Sequence, residues 1–188
     1  MKPVTTAATA AVVLAVALGA VAVWQFTGDD GGPAPLDTRA RVYREVDACL
    51  LTGERGVTAG TPAAPVWEAL REASLSTRAR VNYVPVTGEQ TTANAEPFLN
   101  TLIQRRCAVV LAVGAPQVAV VESGAARHPE VRFVVVGDGG DGGGSGAADN
   151  VITANSGAGL EKTVTSVIQQ AVKDAEETAD ETPEQKSK

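Results

Sequence analysis

The sequence predicts an α/β domain built on a doubly wound parallel sheet of five strands in the flavodoxin-like order 2-1-3-4-5, carried as a single lobe. Three observations predict it. Short apolar runs alternate with amphipathic stretches along the middle of the chain, which is the pattern of a parallel sheet with helices on both sides. Two of those runs, Cys107 to Val113 (CAVVLAV) and Val131 to Val136 (VRFVVV), are apolar throughout but for Arg132, as expected of strands covered on both faces. Right-handed crossovers then leave few topologies.

The elements follow in order. Val46 to Leu51 (VDACLL) reads as the first strand. Ala64 to Ser74 reads as a helix with Val66, Leu70 and Ala73 on one face. Val81 to Val86 (VNYVPV) is the second strand, and Pro85 assigns it to a sheet edge, where a missing N–H costs nothing. Ala93 to Arg106 is a second helix with Phe98, Leu102 and Ile103 buried and Pro97 in its first turn, the one place where a helix tolerates proline. After the Cys107 strand, Gln117 to Arg127 is a third helix. Asn150 to Ala154 is the fifth strand, and Leu160 to about Ala175 the last helix, with Val164, Val167, Ile168, Ala171 and Val172 at helical spacing.

The flanks differ from this core. From Pro3 to Gly28 no residue is charged, long enough to cross a hydrocarbon core of about 30 Å as a transmembrane helix. Lys2 precedes the run and Asp29 and Asp30 follow it, so the positive-inside rule puts the domain outside the cytoplasm. Residues 1–28 are thus a signal anchor, or a signal peptide cut after Ala22; the domain is single-pass at the cell membrane in one case and secreted in the other. Residues 29–40 form a Gly/Pro linker, 41–175 the lobe, and 176–188 a charged tail expected to be disordered.

Cys49 and Cys107 suit an oxidising compartment. The predicted order makes their strands neighbours, and each cysteine falls near the start of its strand. A disulfide needs a Cα separation of about 4.4–6.8 Å, which some registers do not give; the alternative is two buried free thiols.

The charge excludes one class of partner. The 188 residues carry a formal net charge of −6, with no Lys/Arg cluster to meet phosphates, so nucleic acid is not expected. Catalysis is not expected either. His128 is the only histidine, no nucleophile–base pair or Gly-x-Ser-x-Gly elbow appears, and no ligand set suggests a metal or cofactor. The Gly-rich run from Gly137 to Gly146 opens no helix and contains Asp138 and Asp141, which repel phosphate, so it reads as a loop.

The order of motifs resembles the N-terminal lobe of the basic membrane protein family, the substrate-binding proteins of ABC importers that include nucleoside receptors. LLTGERGVTAGTPAAPVWEAL is similar to that family's first strand, ligand loop and first helix. TGEQTTANAEPFLNTLIQRRCAVVLAVG is similar to its second helix and third strand, and AARHPEVRFVVVGD to the run that leads into its fourth strand. The resemblance implies a periplasmic-binding-protein-like lobe that holds a nucleoside or other small polar solute and works with an ABC permease. Family members close the site with a second lobe, and carry an aromatic where this chain has Ala115. Without solute binding, such a lobe would serve as an interaction module for an envelope protein.

Ligands of open α/β sheets sit at the carboxyl ends of strands near the switch point. That rule and the resemblance select the same candidates. They are Thr52, Gly53, Glu54 and Arg55 after the first strand, Gly114, Ala115 and Pro116 after the third, and Asp138 after the fourth.

Overall fold

A computed structural model describes residues 42–137 and 148–180. Five strands, β1 (Asp47–Thr52), β2 (Arg80–Pro85), β3 (Val109–Val113), β4 (Arg132–Gly137) and β5 (Val151–Asn155), form one sheet. All four pairings are parallel and the order is β2-β1-β3-β4-β5, as the alternation predicts. The helices are α1 (Ala63–Thr77), α2 (Thr92–Gln104), α3 (Ala115–Gly124) and α4 (Leu160–Asp180), with a 3-10 turn at Ala125–Arg127.

The pleat splits the core into two layers, because successive side chains of a strand point to opposite faces. Ala48, Leu50, Val109, Leu111, Val113, Val134 and Val136 meet α1 and α4 on one face. Cys49, Leu51, Val110, Ala112, Phe133 and Val135 meet α2 and α3 on the other. This is why β3 is apolar at every position and β4 from Phe133 to Val136. β2, at the edge, is mostly half-buried and ends in Pro85.

Cys49 and Cys107 form a disulfide with a Cα separation of 5.9 Å. It is not a rung between two strands. Cys49 stands opposite Val110 in the β1–β3 register, whereas Cys107 precedes β3 and its N–H donates to Leu102 O at 3.2 Å. The bridge therefore ties β1 to the turn between α2 and β3, within the α2/α3 layer.

Several boundaries differ from the sequence reading. α2 begins at Thr92, capped by Thr91, whose Oγ1 accepts from the Asn94 N–H at 3.2 Å. Pro97 is the sixth residue of this helix, beyond its first turn; Ala95, Leu99 and Leu102 turn inward, with Phe98 and Ile103 half-buried. α4 continues through Asp180, five residues into the segment read as tail. Its last turns carry the pairs Gln170–Asp174 and Lys173–Glu177, four residues apart on one face. The expected N-terminal transmembrane helix, the linker, and residues 181–188 lie outside the described residues. Among the described residues, no helix is long and apolar enough to cross a membrane.

Candidate functional site

The chain reverses its winding between β1 and β3: α1 follows β1 on one face of the sheet, and α3 follows β3 on the other. The two connections part at the strand ends and leave a crevice there. A cavity of about 430 Å³ fills it.

The β1 side is a loop folded on itself. Thr61 Oγ1 donates to Gly56 O at 3.0 Å and to Thr58 O at 2.8 Å. The Gly56 N–H donates to Gly53 O at 2.9 Å, and Gly56 takes the positive φ of 56° that this tight turn requires. The loop delivers Pro62 and Ala63 at the start of α1 to the cavity wall, and adds Glu54 and Arg55, both exposed, to its lining. Neither Glu54 nor Arg55 has an ion-pair partner among the described residues.

The β3 side brings Val113, Gly114, Pro116 and Gln117. Gly114 has φ 104°, and a Cβ there would lie 2.5 Å from Gln117 Oε1. Glycine thus serves two needs at once: the left-handed backbone and room for the glutamine amide. Gln117 is 1% exposed. Its Nε2 donates to Gln90 Oε1 at 3.2 Å, while Gln90 Nε2 donates to Val86 O at 2.8 Å and Gly88 O at 3.1 Å. Backbone carbonyls can only accept, so the orientation of both amides is fixed from that end. No hydrogen bond from a described residue reaches Gln117 Oε1. Among the described residues, the one fully enclosed side-chain polar atom without a partner is Asn82 Oδ1, so Gln117 Oε1, on a residue that lines the cavity, keeps some accessible surface. Gly114 offers no side-chain cap to α3; its carbonyl takes the Val118 N–H at 2.9 Å, Pro116 has no N–H, and the N–H groups of Ala115 and Gln117 are left at that helix start.

Of the sequence candidates, Gly53, Glu54, Arg55, Gly114 and Pro116 line this one cavity. Thr52 is buried and spends its hydroxyl on Gly53 O at 2.9 Å. Ala115 is exposed beside the cavity without lining it. Asp138 lies outside the described residues, as does the rest of the Gly-rich run after Gly137. The sequence reading missed Gln90 and Gln117. Gln117 was legible in principle: between Cys107 and Val121 it is the only side chain with a strong hydrogen-bonding group, and it follows a strand-end glycine by three residues.

A second cavity, of about 680 Å³, lies at the opposite ends of β4 and β5. It is larger, but its central charges satisfy each other. Arg132 pairs with Asp174, and this hydrogen bond, with a second from Gln170, holds the Asp174 carboxyl below its ordinary value. Asn150 Nδ2 meets three carbonyls there, those of Ala125, His128 and Val131, at 3.0, 2.8 and 2.9 Å. Among the described residues, no group of three or more His, Cys, Asp or Glu is placed to hold a metal.

No protein-family model matches the chain, and no curated protein matches it. Among solved structures, it is similar to a fragment of a "putative lipoprotein" from Peptoclostridium difficile 630. The TM-score is 0.54 at 14% identity, over 68% of this chain and 98% of that one. At that identity the likeness is one of fold.

Proposed function

We propose that this domain binds a small polar solute in the cavity at the ends of β1 and β3. The observation that supports this best is the oriented Gln90–Gln117 amide pair. It leaves one buried acceptor facing an otherwise mostly apolar crevice. Binding sites are of this kind, apolar walls with a few placed polar groups. The resemblance to the lobes of importer-associated binding proteins points to the same strand ends. The disulfide supports an extracytoplasmic location, and a lipoprotein among its fold neighbours is in keeping with a place at the cell envelope.

A second reading, an envelope interaction module, draws on the sheet edge. β2 has no partner on its outer side among the described residues, and it carries Tyr83, 42% exposed, against Trp67.

Thermal unfolding of the chain with panels of nucleosides, bases, sugars and amino acids separates the two. A solute at 100 times its Kd stabilises by about 2.7 kcal/mol, a rise of roughly 5–10 °C for a domain of this size. A rise confined to one chemical class supports solute binding. A folded chain that no compound shifts supports the interaction module.

A further inference from the structure

We infer that the solute is a small zwitterion of the α-amino-acid type, a reading that rests on the proposed solute site. Four features of the cavity each select one part of such a ligand. Gln117 Oε1 is a buried acceptor with no hydrogen bond from a described residue, so the ligand must bring an N–H or O–H donor to it. Glu54, an exposed lining residue without an ion-pair partner among the described residues, favours a positive charge on the ligand. Arg55, an exposed lining residue likewise without an ion-pair partner among the described residues, favours a carboxylate. The start of α3 adds the Ala115 and Gln117 N–H groups on the Gly114 side, Pro116 having none and the Val118 N–H already donating to Gly114 O.

An ammonium and a carboxylate on one carbon satisfy both sets together. A simple anion would meet Arg55 but face the oxygens of Glu54 and Gln117. A simple amine would meet those oxygens but leave Arg55 and the α3 N–H groups unused. A sugar would hydrogen-bond to the amide acceptor and to both side chains, but carries no charge for Glu54 or Arg55 to neutralise. The remaining walls, Pro62, Ala63, Val113 and Pro116, are apolar and suit a small aliphatic side chain.

Calorimetric titration of the full chain in detergent tests this, with glycine, alanine, valine and leucine as ligands. The same compounds in N-acetyl and in carboxamide form, one nucleoside series and one sugar series, complete the set. At least one free amino acid is expected to bind saturably, and its N-acetyl and carboxamide forms about tenfold or more weaker, since each loses a charge-assisted contact. Glu54→Gln and Arg55→Gln alter exposed residues, so the unfolding temperature should hold while affinity falls about tenfold in each. Arg55→Gln should also erase the preference for the free acid over its carboxamide. Amino-acid binding that ignores both substitutions overturns the inference. Binding of a nucleoside or sugar, with no amino acid bound, overturns it and leaves the solute site standing. Binding of nothing from any series overturns both.

Discussion

Removing the disulfide should cost this domain a large part of its stability. Cys49 and Cys107 are 58 residues apart, and closing a loop of that length in the unfolded chain is worth about 4 kcal/mol in the chain-entropy treatment. The bridge encloses α1, β2 and α2, a large share of the domain. Both sulfurs are buried, at 0% and 2% residue exposure, so a Cys49→Ala/Cys107→Ala variant also loses some packing, and Asn82 Nδ2 loses its contact with the Cys49 sulfur at 3.4 Å. The loss should therefore be at least about 4 kcal/mol against a total near 5–15 kcal/mol. Urea unfolding of the oxidised chain and the double-alanine variant, followed by circular dichroism, measures it. Thiol titration of the denatured, unreduced chain should find no free cysteine. A loss under about 1 kcal/mol, or two reactive thiols, would refute the reasoning.

Other changes follow from the same contacts. Gly114→Ala forces a Cβ to 2.5 Å from Gln117 Oε1 at a positive φ, so unfolding in urea should show a loss of about 1–2 kcal/mol, together with weaker binding of any solute. Asn150→Ala removes the amide that meets three carbonyls around the 3-10 turn, at a cost of about 1–3 kcal/mol in the same assay. Asp174 has a folded-state pKa below its unfolded value, so its contribution is present above the unfolded value and is lost as pH falls through the folded one. The pair with Arg132 is about 40% exposed and worth at most about 1 kcal/mol. Asp174→Asn should flatten the acid limb of a stability–pH curve slightly and leave neutral-pH activity in solute binding unchanged.

How far the sequence carried this picture depended on what set each feature. β3 and β4 were legible because burial on both faces makes Val109–Val113 and Phe133–Val136 apolar without a break. Pro85 placed β2 at an edge because only an edge spares the missing N–H. Features set by local hydrogen bonding were harder to read. Thr91 caps α2 one residue earlier than the apolar spacing suggests, and Pro97 lies in the helix beyond its first turn. Pairs four residues apart extend α4 past the last buried residue, Val172, where hydrophobic periodicity ends. The strand-end rule located Gly53, Glu54, Arg55, Gly114 and Pro116. Gln90 escaped it because that residue sits in the polar loop after β2, and only the fold brings it to the cavity wall beside Gly53 and Gln117, the latter 27 positions away. Asp138 lies outside the described residues.

The most direct test of the central claim follows the side-chain amides of the glutamines by NMR, in the chain labelled with ¹⁵N at glutamine, while a solute that raises the unfolding temperature is titrated. The account predicts that the Gln117 and Gln90 side-chain signals, assigned through Gln117→Glu and Gln90→Glu, shift with the same saturation as the thermal response, while Gln104, Gln169 and Gln170 stay still. Saturable binding that leaves Gln117 and Gln90 unmoved would place the solute elsewhere and contradict the account.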